Sequence, residues 1–243
     1  EEKSRFLGID ARTKKTVGSE DGLYLNIFTK STEKKKLSPV MVYIHGGAFW
    51  GGGSHLDTYS PDYLLMSDIV LVTFNYRVGP LGFLYLIDPK LEVPGNAGLK
   101  DQQMVLKFVR ENIKNFGGDP DNVTLFGHSA GGCSVSWHCV SESSRGLFHR
   151  AIIMSGCVLN SWALTPTSDW AVRLAKAVGY VGSDEDEKSL LEFLQKADPV
   201  KMIEVQKSLI RREEFGKISF AFAPHIEPYT SANTFNSERP IDL

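Results

Sequence analysis

Val123-Thr124-Leu125-Phe126-Gly127-His128-Ser129-Ala130-Gly131 is an apolar run that ends in a G-x-S-x-G pentapeptide. The pattern predicts a strand over 123–126, a sharp turn at Ser129 and a helix from Ala130 onward, the form of a nucleophile elbow. Backbone crowds such a turn, so the positions two before and two after the serine must lack bulk. Gly127 and Gly131 meet that need. The hydroxyl then stands at a helix N-terminus, where free N–H groups favour a developing anion. Ser129 is the candidate nucleophile.

Upstream, Val40-Met41-Val42-Tyr43-Ile44 runs straight into His45-Gly46-Gly47-Ala48-Phe49. A strand that ends in small residues lets main-chain N–H groups approach a substrate closely. Acyl transfer puts negative charge on the former carbonyl oxygen, and preorganised N–H groups stabilise it. Gly47 and Ala48 are the candidate donors, joined by Ala130, the residue after the serine. An ordinary glycine turn reads the same in isolation; the serine elbow downstream favours the donor reading.

Four further blocks keep this order. Ser19-Glu20-Asp21-Gly22-Leu23-Tyr24-Leu25-Asn26-Ile27 comes first, then Asn75-Tyr76-Arg77-Val78-Gly79-Pro80-Leu81-Gly82-Phe83. Gly95-Asn96-Ala97-Gly98-Leu99-Lys100-Asp101-Gln102 and Phe116-Gly117-Gly118-Asp119-Pro120 lead into the elbow. Over 19–154 the chain resembles the type-B carboxylesterases, the cholinesterase-like branch of the α/β-hydrolases; beyond about residue 162 the match is loose. The Gly-His-Ser-Ala-Gly pentapeptide is similar to that of insect detoxifying esterases. The resemblance implies an α/β-hydrolase fold, a mostly parallel sheet with helices on both faces. It also implies hydrolysis of a small-molecule carboxylic ester through an acyl-enzyme, with no metal and no organic cofactor.

The departures refine this. Gly22 stands where the family pattern has cysteine, and Ala11-Arg12-Thr13-Lys14-Lys15 stands where cholinesterases carry a tryptophan that holds a quaternary ammonium. His128 replaces an acidic residue common before the serine. Both changes point to a neutral or lipophilic ester rather than a choline ester. The resemblance places the triad acid and histidine far beyond the serine, outside these 243 residues. It therefore implies a truncated fold, lacking an N-terminal part and the C-terminal half, and nearly inactive alone. The alternative of another class is a catalytically incomplete cholinesterase-like module that binds, sequesters or adheres.

No histidine present reads as a convincing general base. His138 lies half a turn around the elbow helix and roughly 13 Å along it. His149 reads as a boundary residue, and His45, which precedes the serine with His55, reads as shaping the oxyanion loop. His225 alone has the right chain order, with Asp184 or Glu204 as possible acids, but the resemblance puts no catalytic group there. Asp21, Asn75, Arg77 and Asp101 are expected to fix loops through polar contacts. Phe49 and Trp50 are expected to line or support the substrate gorge.

The chain has 42% hydrophobic and 23% charged residues and a net charge of −2, which gives no case for binding nucleic acid or an acidic membrane. Glu33-Lys34-Lys35-Lys36 is expected at a solvated hairpin tip, and no apolar stretch is long enough to span a bilayer. Cys133, Cys139 and Cys157 lack metal-ligand spacing; the first two are expected as buried free thiols. The sequon Asn122-Val123-Thr124 opens a buried strand and is expected to be unused. Oligomeric state and localisation, cytoplasmic or secreted, stay open.

Alternating strand and helix signals argue for one partial α/β-hydrolase domain over 1–243, with 163–243 as its helical, more divergent segment. Strands are expected at 23–29, 40–45, 69–76, 123–126 and 151–155, buried on both sides. Helices are expected at 100–115, 130–140, 169–178, 185–196 and 200–209. In the first, Met104, Leu106, Phe108, Val109 and Ile113 should form the apolar side.

Overall fold

The computed structural model describes residues 5–10, 12–33, 35–240 and 242. Among the described residues, seven strands form two sheets: β1 (Gly8–Ile9), β2 (Thr16–Val17), β3 (Leu25–Phe28), β4 (Ser38–Ile44), β5 (Val70–Phe74), β6 (Gly118–His128) and β7 (Arg150–Met154). The first two make a small antiparallel pair, and the other five make the central sheet in the order β3-β5-β4-β6-β7. Only β3 runs against its neighbour, with Asn26 opposite Thr73. The other pairings are parallel; Val42 of β4 sits beside Val72 of β5 and Leu125 of β6. A parallel neighbour cannot be reached by a tight turn, so helical crossovers intervene. They are α1 (Gly79–Phe83) and α2 (Ala97–Asn112) between β5 and β6, then α3 (Ala130–Val140) between β6 and β7.

The alternation of a strand's side chains divides the core. Val40, Val42 and Ile44 join Val70, Val72, Phe74, Val123 and Leu125 in the large cluster that includes Leu106 of α2 and Trp137 of α3. On the other face, Tyr43, Leu71 and Phe126 form a smaller cluster with Tyr59, Phe28 and Met41 packed against it. Every residue of β5 is buried, as a central strand with a near-continuous apolar sequence should be. The edge strand β7 departs from the expected burial: Arg150 to Ile153 are exposed, because only β6 pairs with it. The lysine run also differs. Lys35 and Lys36 are exposed, but β5 lies between β3 and β4, so their loop is not a hairpin tip; Lys34 lies outside the described residues.

Helix α2 begins three residues earlier than expected and buries Leu99, Leu106 and Val109 together with Asp101 and Gln102. Met104 is 70% exposed, a correction to the apolar side read from sequence. Polar pairing explains the buried face: Asp101 holds Arg77, and the Gln102 amide donates to Ser134 Oγ on α3. Helix α3 is buried from Ala130 to His138, and apart from the hydrogen-bonded His138 its residues there are apolar or small. Cys133 is buried within it, whereas Cys139 near its end is exposed, contrary to expectation.

Beyond β7 come α4 (Trp170–Ala177), α5 (Glu187–Leu194) and α6 (Pro199–Val205). Asp186 and Asp198 cap α5 and α6 by accepting from Ser189 N and Val200 N. Leu174, Leu190 and Ile203 are fully buried. Arg173 binds Glu214 through both terminal nitrogens, at 2.7 and 2.9 Å, and stacks on Trp170.

Candidate active site

Strand β6 ends at His128 and α3 begins at Ala130, so Ser129 is the whole connection. Its backbone has φ 57° and ψ −122°, a conformation that non-glycine residues rarely adopt and that neighbours must hold in place. Ser129 N donates to the Met154 carbonyl at 2.8 Å, and Cys133 N donates to the Ser129 carbonyl at 2.9 Å. A Cβ on Gly127 would lie 2.5 Å from the Gly131 backbone, and one on Gly131 only 2.0 Å from the Ile44 carbonyl oxygen. Bulk at either position is therefore barred, as the pentapeptide implied. A third close approach was not read from sequence. A Cβ on Gly156 would meet the Ser129 carbonyl oxygen at 2.2 Å. Its only sequence signal was a glycine just beyond the fifth strand.

The loop after β4 runs alongside this turn. A Cβ on Gly46 would lie 2.6 Å from the His128 carbonyl oxygen and 3.2 Å from Ser129 Cβ. Gly47 has φ 133°, and Ala48 and Phe49 are also left-handed, at φ 58° each. The loop folds back on itself because Trp50 N and Gly51 N both donate to the Gly47 carbonyl, at 3.0 and 3.3 Å. Among the described residues, no acceptor meets the backbone N–H of Gly47, Ala48 or Ala130. Phe49 is buried against Phe83, and Trp50 packs edge-on to Phe220. Both support the loop from behind.

Ser129, Gly46 and Gly47 share a cleft of about 500 Å³ with His55 and Tyr59. Its rim is charged but balanced: Arg5 pairs with Asp10 and Asp57, and Arg12 pairs with Asp57. A larger cavity of about 910 Å³ lies elsewhere, among α1, α2, α5 and the 229–233 loop, and Ser129 does not line it.

His128, the residue before the serine, is exposed and lines the cleft. His138 sits between Ser144 Oγ at 2.8 Å and Gln102 Oε1 at 3.0 Å, and burial pulls its pKa down to about 3. His225 is buried with Nε2 3.2 Å from the Pro94 carbonyl and its ring against Tyr85; burial pulls it to about 4. It lies at neither the elbow nor the cleft. His149 is exposed, and its Nδ1 accepts from Val123 N. His45 is buried and lowered to about 4, again chiefly by burial. His55 lines the cleft, where burial first and the Arg5 charge second lower it. No histidine among the described residues hydrogen-bonds Ser129, and no cluster of three or more His, Cys, Asp or Glu side chains that could hold a metal ion lies among the described residues.

The other block residues hold loops. Arg77 grips Asp101 through Nε at 2.8 Å and a terminal nitrogen at 2.7 Å, and Asp101 also accepts from Arg77 N. Asn75 accepts from Ser54 N and donates to the Gly22 carbonyl at 2.8 Å. Asp21 accepts from the Tyr24 hydroxyl at the surface. Gly22 leaves no room for the family's cysteine: a Cβ there would lie 2.6 Å from Phe6 Cα and the Arg5 carbonyl oxygen. The amide oxygen of Asn122, in the sequon, accepts from Arg150.

This strand, loop, elbow and helix arrangement agrees with sequence comparison, in which a profile of the Carboxylesterase family matches residues 5–243. The chain belongs to the carboxylesterase family. Its fold is the α/β-hydrolase fold of that family. Esterase B1 of Culex pipiens is 44% identical over 235 residues, covering 96% of this chain and 43% of the relative. Juvenile hormone esterase of Tribolium castaneum is 47% identical over 198 residues, covering 78% and 32%. Acetylcholinesterase of Danio rerio is 41% identical over 220 residues, covering 88% and 34%. This carboxylesterase-family chain thus spans less than half the length of these curated relatives.

Proposed function

We propose that the protein is a serine hydrolase of neutral or lipophilic carboxylic esters, acting through an acyl-enzyme on Ser129. The observation that carries this reading is the strained Ser129 turn at the N-terminus of α3, with the Gly46-Gly47 loop against it in one cleft. Helix geometry leaves the first-turn N–H groups of α3 without intrahelical acceptors. Ala130 N–H, with Gly47 and Ala48 N–H, receives the oxyanion as Ser129 Oγ attacks the ester carbonyl. The alcohol leaves, and water then hydrolyses the acyl-enzyme. The general base in this reading is a histidine outside these 243 residues, because no histidine among the described residues hydrogen-bonds Ser129. The charge-balanced rim of Arg5, Arg12, Asp10 and Asp57 suits a substrate without net charge. No metal or organic cofactor enters the scheme.

The test compares parent and Ser129→Ala in the gene product at the length the source organism expresses. Hydrolysis of p-nitrophenyl acetate should fall by about 10⁶ in kcat, the scale seen when another hydrolase loses its nucleophile. Activity retained by the variant would reject Ser129 as the nucleophile. The 243-residue chain by itself should turn over almost no ester.

A further inference from the structure

Two peptide planes carry the proposed loop donors, and they are held in different ways. The Gly47–Ala48 plane bears the Ala48 N–H, and its carbonyl is fixed by two main-chain donors, Trp50 N and Gly51 N. The Gly46–Gly47 plane bears the Gly47 N–H, and no main-chain donor meets its carbonyl among the described residues. Glycine flanks that plane on both sides, so no Cβ resists its rotation. What meets the Gly46 carbonyl is the His45 ring, with Nδ1 at 2.8 Å. A carbonyl only accepts, so Nδ1 carries the proton and Nε2 is the bare nitrogen. Nε2 is indeed buried without a partner.

The ring itself is locked. It stacks on Tyr76 at 4.3 Å between centroids and 18° between planes. The Tyr76 hydroxyl donates to the His45 carbonyl at 2.9 Å. Gly52 makes room for it, since a Cβ there would come within 2.6 Å of Nδ1. A trans peptide is planar, with its C=O and N–H pointing in opposite directions. Fixing the Gly46 oxygen therefore fixes the direction of the Gly47 N–H.

We propose that His45 is a positioning residue for oxyanion stabilisation: its Nδ1–H holds the Gly46 carbonyl and thereby aims the Gly47 N–H at the developing charge. This rests on the serine-hydrolase reading above. His45 touches no reacting atom and acts as a neutral donor, so it neither gains nor loses a proton during turnover.

The test uses three variants of the expressed gene product. His45→Phe keeps a ring against Tyr76 but removes the donor; His45→Asn restores an N–H near the Nδ1 position; Tyr76→Phe removes only the hydroxyl that holds the His45 carbonyl. His45→Phe should lower kcat for p-nitrophenyl esters by about tenfold or more, up to the roughly 10²–10³ that follows outright loss of one oxyanion donor, with KM unchanged. Affinity for a trifluoromethyl ketone, whose adduct carries the oxyanion, should fall by the same factor. His45→Asn should recover part of both losses, and Tyr76→Phe should show a smaller parallel loss. Wild-type kcat in His45→Phe overturns the proposal, as does a kcat loss without a matching loss of ketone affinity. If His45→Phe does not fold, kinetics and ketone affinity of Tyr76→Phe equal to those of the parent overturn it as well. Activity in Ser129→Ala rejects the nucleophile and this proposal together; wild-type behaviour of His45→Phe beside an inactive Ser129→Ala rejects the positioning role alone.

Discussion

Replacing Gly131 with alanine puts a methyl group 2.0 Å from the Ile44 carbonyl oxygen, 2.8 Å from the Ile44 carbonyl carbon and 2.9 Å from that of His45. Relaxed carbon contacts lie at about 3.5 Å, so α3 must retreat from β4 by more than an ångström. The obstructing atoms are backbone in a buried strand, which cannot rotate away as a side chain could. Overpacking of this kind costs about 1–3 kcal/mol, and rigid neighbours place this case at the upper end. Alanine's helix preference over glycine opposes it by about 1 kcal/mol, leaving a net loss of about 2 kcal/mol. For a chain of this size that lowers Tm by about 4–8 °C. Gly146→Ala is the comparison, because nothing lies within 4 Å of its added Cβ and only its φ of 78° is strained. That substitution should cost about 1 kcal/mol and lower Tm by about half as much. Thermal unfolding followed by circular dichroism and by calorimetry measures both. A Gly131→Ala protein that melts with the parent, or above Gly146→Ala, would refute the packing of the elbow helix on β4.

Acid stability should follow the buried histidines. His45 and His225 are pulled from an ordinary 6.5 to about 4 and His138 to about 3, all chiefly by burial. Their folded pKa values lie below the unfolded ones, so the unfolded chain binds more protons in that window. Stability is then fully present above about pH 6.5 and falls as pH drops toward 4. At pH 5.5 unfolding should take up about three protons from these groups, measured as the pH dependence of the denaturation midpoint; uptake near zero would contradict the burial of these rings. Asp101→Ala should cost about 2–3 kcal/mol in urea denaturation, less than a fully buried pair, because the Arg77 side chain remains 38% exposed. An unchanged urea midpoint would mean that Arg77 does not depend on Asp101.

Much of the backbone geometry of the candidate site was legible because its determinants are local. An apolar strand running into Gly127 to Gly131 can turn only where Cβ atoms are missing, and the distances to Gly131 and Ile44 backbone bear that out. The five central strands and the three late helices were visible for the same reason, patterns of apolar residues contiguous in the chain, whereas the short pair β1 and β2 was not. What escaped depends on partners distant in sequence. The insertion of β5 between β3 and β4 places the lysine loop outside any hairpin, which the intervening residues do not announce. Met104 looked like core, but Gln102 takes a buried place through Ser134 and His138 on another helix. Cys139 sits one residue beyond the buried part of α3, a margin below what an apolar pattern resolves. The left-handed backbone at Ala48 and Phe49 was equally hidden, since neither residue type signals positive φ.

The most direct measurement is the site of covalent labelling by a fluorophosphonate, read by peptide mass spectrometry on the gene product as expressed. The serine-hydrolase account requires one phosphonyl adduct per chain, on Ser129, with no adduct in Ser129→Ala. An adduct on another residue, or ester hydrolysis that persists while Ser129 stays unlabelled, would contradict it.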